Sequence, residues 1–592
     1  MISTIRPTLT VSSDLFDEAV GVINRSGADV LLEGIYHNWA GVGGRRASGI
    51  RYSVRGFFTA ALLCVSLKRP PTLAGILQML ADFTVDQLAA VGMDGQDLSA
   101  VRTHSTAEYK KFHAWVSRRL EPIDPDRDLP ARRITNAENQ RIIDKRSEAD
   151  REASQRSRDL LSEVINRLVM GSVWEQAPTG CVGDLVVDES IYDLARHTYG
   201  LGVAPDRQRG AAPGSRTYGR DHKHNLGTGD GKKSLRKSGI GIGLTALTRV
   251  GEPHRLTAVA PVIIGIDVHA PTSGDPGAVL RALGRARENN LTARSATPRA
   301  RWPYLTVDMG YNSKKGFADA MIRQRYAYVG RYPQKWGTVH ASAPTKLGEQ
   351  QPGPVMVAGD LYCPAVTKIA STITVPPARE LLNASPAGFA DHDRRLQRIL
   401  PLLMGRNSRP VHGSVQRGPK DPERPSDPDT VKVRVVCPAA FERVRCPLRP
   451  TTMSLSGDLP TLEPTWTPQQ YACCEKGTIT VGLTPDQVRM GQFGFTPGSW
   501  EHMLYYEAAR SLTERQFSVL KSRTVTGLAD LTVGPRRQPM IAISLAMAVA
   551  VTNLATQRAH EERRPRGGSI RRRVRLLEAD LGYPPTMTPA RT

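Results

Sequence analysis

Three acidic residues in this chain have the types and settings for metal-assisted phosphate chemistry. Asp188 closes the apolar run GDLVVDES, and Asp308 closes a second, PYLTVDMGYN. Glu514 lies in YYEAARSLTERQFSVLK. On a helix turning about 100° per residue, Tyr506, Arg510, Glu514 and Lys521 fall within one stripe about 80° wide. Leu504, Ala508, Leu512 and Val519 fall on the opposite side. The segment therefore reads as a helix that buries one face and offers a carboxylate between cations on the other. Two strand-end aspartates and a helical glutamate are an arrangement for holding two divalent metal ions against a phosphate. Carboxylates are suitable hard oxygen ligands for Mg²⁺ or Mn²⁺.

The elements around these residues decide whether they can meet. Residues 1–135 are mainly helical in pattern, with apolar residues at three- and four-residue spacing over Ile50–Val65, Thr72–Val91 and Ser105–Leu120. Residues 136–174 form a charged helical connector that enters a core helix. From 175 to 335 the pattern changes. Leu185–Asp188 reads as a strand, Gly239–Val250 and Arg255–Val268 as two longer ones, and Tyr304–Asp308 and Tyr326–Tyr332 as two more. Helices are expected at Ala278–Arg287 and Gly316–Arg325. The order β-β-β-α-β-α-β is that of a ribonuclease H-like mixed sheet, in which the first and fourth strands are neighbours. Asp188 and Asp308 would then lie about one strand spacing, roughly 5 Å, apart. Asp267 also ends a strand, but an edge one, and reads as a loop aspartate.

A long loop over 196–238 carries GSRTYGRDHKHN and GKKSLRKSG. Such a loop is either a solvated insertion or a phosphate-contacting element. His222 and His224 within it read as loop residues rather than metal ligands. Residues 336–496 are rich in Pro and Thr with short β-like runs, and read as a β-rich insertion domain. Residues 497–559 return to the core, and 560–592 form a basic tail.

With 592 residues, three or four domains are expected. The formal net charge of +23 points to a polyanionic partner, most simply nucleic acid. No secretory signal is evident at the start. Val54–Leu67 is too short to span a bilayer, and Ser544, Thr552 and Asn553 interrupt Met540–Ala555; both read as buried helices. The expected compartment is the cytoplasm, in association with the nucleoid, and the seven cysteines are expected to be reduced or metal-bound. Five of them, Cys363, Cys437, Cys446, Cys473 and Cys474, fall in the insertion, three of them before Pro. A tetrahedral structural zinc needs four. No C-x2-C pair is present, so buried thiols in a small core are the other reading.

Taken together, VVDES, TVDMGYNS and Arg510-x3-Glu514-x6-Lys521 resemble the DDE transposases of bacterial insertion sequences. The similarity is greatest to the group with a β-rich insertion domain and a Tyr-Arg-Glu-Lys signature. It covers roughly 175–335 and 497–558, and departs from the signature in leaving three residues, not two, between Tyr506 and Arg510. The resemblance implies metal-dependent DNA cleavage and strand transfer by Asp188, Asp308 and Glu514 with two Mg²⁺ or Mn²⁺ ions. It implies double-stranded transposon ends and target DNA as partners, and a homodimer on DNA. Tyr506, Arg510 and Lys521 of the signature are expected to contact DNA, together with Trp500, Arg523, Arg220 and Lys223. A nuclease or resolvase of the same fold, and a domesticated, non-catalytic DNA-binding protein, are the competing readings.

Overall fold

A computed structural model describes residues 11–40, 51–194, 212–221, 235–293, 301–333, 336–342, 352–369, 378–413, 430–532, 536–563 and 569–590, apart from isolated positions within them. It is a mixed α/β structure. A helical layer is built from Ser13–Ser26, Val54–Ser66, Leu73–Ala81, Ser105–Leu120, Glu148–Gly171 and Gln538–Arg563. These helices share one core, to which Phe16, Phe58, Leu62, Leu80, Phe112 and Ile165 contribute. The expected Thr72–Val91 helix is two helices: the first ends at Ala81, and the second, Val85–Ala90, is capped by Thr84. Its hydroxyl accepts from Gln87 N while the Gln87 side chain accepts from Thr84 N, a reciprocal cap that an uninterrupted helix could not form. Gln538–Arg563 is long and apolar enough to cross a membrane, but most of it is buried inside this core.

The helices cover a six-stranded curled sheet: β1 (Leu185–Asp193), β2 (Arg216–Asp221), β3 (Leu235–Arg249), β4 (Ile263–His269), β5 (Tyr304–Val307) and β6 (Ala327–Gly330). β1 pairs antiparallel with β3 along its whole length and parallel with β5, and β5 pairs parallel with β6. β3 is long enough to hold β2 and then β4 along its other side. The expected 196–238 loop therefore contains β2 and the start of β3. The strand expected at Arg255–Val268 starts only at Ile263, after a turn and a short 3-10 helix.

Among the described residues β4 pairs only with β3, so its outer edge needs other partners. Two asparagines supply them. The Asn553 side chain accepts from Ile263 N and donates to Ile263 O. Asn166 does the same for Ile266. A bulge between the Leu247 and Thr248 positions shifts the register between these two sites. Each amide thus imitates one residue of a neighbouring strand, and ties the helical layer to the sheet.

Residues 336–496 are less β-rich than their composition suggests. Strands Val431–Val436 and Thr478–Leu483 pair with each other, but helices Pro386–Ile399, Ala472–Lys476 and Pro485–Met490 accompany them. Val433, Val435 and Val481 share a core with Leu185, Val187 and Leu305 of the sheet. Residues 560–592 are not a simple tail. Helix Ser569–Leu581 buries Ile570 and Leu577. Beyond it, Thr586 donates to Asp393 and Thr588 to Glu501.

Replacing Asn553 by Leu leaves Ile263 N–H and C=O buried without partners. Chemical denaturation is expected to show a loss of about 2–3 kcal/mol. Unchanged stability would mean that β4 does not depend on this clamp.

Candidate active site

The parallel register places Leu185 opposite Leu305 and Val186 opposite Thr306. Continued by two residues, it places Asp188 opposite Asp308. Side chains alternate across a sheet, so both aspartates share the face of Val186 and Thr306. That face carries helix Trp500–Leu520, whose Leu504, Tyr505 and Tyr506 share a core with Val186. Ser499 starts the helix by accepting from His502 N. Asp188 is not at the end of its strand: β1 runs on to Asp193, and Asp188 sits where the parallel ladder stops and the hairpin with β3 continues.

Arg510 joins the three acids. Its Nη1 lies 3.0 Å from Asp308 Oδ1, and its Nη2 lies 2.9 Å from Glu514 Oε1 and 3.8 Å from Asp188 Oδ2. The contact with Asp308 is ionic rather than an aligned hydrogen bond, since Nη1 has no hydrogen-bond partner. The acids are graded in access. The side chain of Asp188 is 20% exposed, that of Asp308 48% and that of Glu514 60%. The cluster therefore opens to solvent from Glu514 inward. Asp308 also accepts from Met309 N and caps the one-turn helix Met309–Asn312. Asp188 accepts from Glu189 N.

Burial pushes the Asp188 carboxyl up to about 6; Arg510 opposes this, while Asp308 and Glu514 add to it. Burial works against the Arg510 charge, but Tyr506, Asp308 and Asp188 outweigh it and hold the guanidinium protonated more firmly than usual. Tyr506 is raised by burial.

Several expected site residues stand elsewhere. The first half of the helix is mostly buried, with Glu501 and Glu507 partly exposed, because it runs between the sheet and helix Ser569–Leu581. Tyr506 is 3% exposed and Trp500 is wholly buried, its indole donating to Asp393. Neither lies on a surface that DNA could reach. Lys521 donates to Ile191 O at 2.6 Å and lies over the Tyr192 ring, which ties the helix end to β1. Arg523 is exposed just beyond the helix. Arg220 lies on β2 opposite Lys237. Lys223, His222 and His224 lie outside the described residues. Asp267 is within β4 rather than in a loop, and its carboxylate takes two hydrogen bonds from Arg281. Glu189 was not singled out. It projects to the opposite face and accepts from Gly274 N, and the Asp-Glu doublet in VVDES was its only signal.

The five insertion cysteines divide in the structure. Cys363, Cys437, Cys446 and Cys474 line one cavity, while Cys473 packs into the core shared with the sheet and lies against Cys474 just behind that cavity. Among the described residues, no three His, Cys, Asp or Glu side chains stand close enough together to hold a metal ion as they are. The carboxylates are spread around a guanidinium instead. No protein-family model matches the chain, and no curated protein matches it.

The Asp188 shift has a definite consequence for stability. A folded value near 6, against an ordinary 3.8, means that the folded state holds this proton more tightly than the unfolded state. Ionised Asp188 therefore costs stability. The cost is absent below the ordinary value, grows between 3.8 and about 6, and is complete above. Asp188→Asn removes it. Denaturation midpoints should show the variant more stable by up to about 3 kcal/mol at neutral pH, with the gain vanishing in acid. A gain independent of pH would contradict this.

Proposed function

We propose that this chain is a divalent-metal-dependent DNA-processing enzyme of the DDE transposase kind, with Asp188, Asp308 and Glu514 as its acids. The observation that carries the reading is the meeting of the three carboxylates at Arg510, from segments more than 300 residues apart in the case of Asp188 and Glu514. No packing need explains three acids drawn together on a partly open face. The strand pairing suits a ribonuclease H-like sheet, and on that reading residues 336–496 are an insertion between the second acid and the third. The charge of +23 suits a DNA partner.

The donor set fits Mg²⁺ or Mn²⁺: hard carboxylate oxygens, one deep and two accessible to water. Asp188, Asp308 and Glu514 would hold the ions. When bound, such a pair supplies an activated oxygen nucleophile and a stabilised leaving oxygen. The chain's own contribution begins with Asp188, which is mainly ionised at neutral pH despite its burial. Arg510 balances the acids before substrate arrives, and is placed to contact a phosphate once they are otherwise neutralised. Arg523 extends positive charge beyond the helix.

The test uses a supercoiled plasmid that carries the gene with its native flanks. The intact protein should nick it only with Mg²⁺ or Mn²⁺ and should yield joined products. Asp308→Asn should reduce both to background and leave DNA binding largely intact, since it removes a ligand charge but keeps the shape. Cleavage without joined products would favour a nuclease of the same fold. Retained cleavage in Asp308→Asn would overturn the assignment.

A further inference from the structure

We infer that Cys363, Cys437, Cys446 and Cys474 form a tetrahedral zinc site that pins the 336–496 segment beneath the helix bearing Glu514. The four come from separate places in the chain. Cys363 follows strand Asp360–Tyr362, and its N–H donates to Leu402 O. Cys437 follows strand Val431–Val436, and its N–H donates to Gly477 O. Cys446 lies in the next turn, held by Thr452, and Cys474 lies on helix Ala472–Lys476. Despite this separation they line a single cavity of about 10 Å³. That volume is close to one water-sized sphere, and four thiolates are a preferred structural zinc set.

Burial raises the Cys363, Cys437 and Cys446 thiols above their usual range, and three features of the surroundings suit the thiolates that a metal would draw from them. Cys363, Cys437 and Cys446 each precede a proline, and each turn brings backbone amides towards its own sulfur. These are the amides of Ala365, of Ala439 and Ala440, and of Leu448 and Arg449. Metal-bound ligands characteristically receive such outer hydrogen bonds. The Arg449 side chain lines the cavity and lies near Cys446 and Cys474. Four thiolates with Zn²⁺ carry a net charge of −2, which Arg449 partly offsets. Trp466 lines the cavity with its indole N–H directed at the Cys474 sulfur, a contact that favours the thiolate.

Binding follows Zn²⁺ + 4 RSH → Zn(SR)₄²⁻ + 4 H⁺, with no oxidant or reductant. Cys363, Cys437 and Cys446 share a core with Trp500 and Met503, the first turn of the Glu514 helix. The site would therefore fix the base of that helix. The inference does not rest on the proposed activity.

Full-length protein purified without chelator should contain about one zinc per chain, as a four-thiolate site requires. Zinc should protect Cys363, Cys437, Cys446 and Cys474 from alkylation, and a chelator should expose them, as mapped by peptide mass spectrometry. Cys473→Ser should keep the metal; Cys437→Ser and Cys446→Ser should lose it. Cobalt in place of zinc should show thiolate charge-transfer and tetrahedral ligand-field bands. The thiol mapping uses the unaltered chain, so misfolding of a variant does not obscure the result. Zinc below about a tenth of an equivalent, even after refolding with zinc, would overturn the site, as would zinc that protects no cysteine.

Discussion

Two unit charges 4 Å apart near a protein surface interact by about 4 kcal/mol at an effective dielectric near 20. Three carboxylates cannot gather beside one another without a cation to offset that repulsion. Arg510 is the cation here, and much of the structure serves to deliver it. The β1–β5 register sets Asp188 and Asp308 on one face, and the helix crossing that face brings Arg510 and Glu514 over them, one turn apart. Burial of most of the helix up to Ala509 fixes its first half in place. Lys521 fixes the far end to the Ile191 carbonyl. A slip of one residue in either strand would turn its acid to the opposite face.

The cluster is costly to hold. Asp188 is buried enough to resist ionisation, and Arg510 is desolvated. Stability has to come from elsewhere, and the helical layer provides it. Helix Gln538–Arg563 is buried from Gln538 to Leu554, and Asn553 and Asn166 close the sheet edge that would otherwise expose unpaired backbone.

The acids were legible in the sequence because each aspartate ends a short apolar run. The Glu helix was legible because its polar residues recur on one projection. The projection misled where tertiary packing overrode it. An amphipathic reading assumes one buried face, but helix Ser569–Leu581 covers the other, so Tyr506 and Trp500 are interior. That helix was itself hidden by its arginines, although Ile570 and Leu577 lie seven residues apart on one face. β2 went unseen because RTYGRD has no apolar alternation and earns its place only by pairing with β3. Asp267 carries the same strand signal as Asp188, and only the fold reveals that Arg281 occupies it. The Cys-Pro repeats were visible, but the cavity that separates Cys474 from Cys473 was not.

The central claim is that Asp188, Asp308 and Glu514 bind divalent metal together. Titration with Mn²⁺ at neutral pH, followed by electron paramagnetic resonance, tests it without DNA. The account predicts about two bound ions per chain, spaced closely enough for their spins to couple, and loss of the coupled signal in Asp308→Asn. Equal Mn²⁺ binding by the unaltered chain and the variant, with no coupled signal in either, would contradict it.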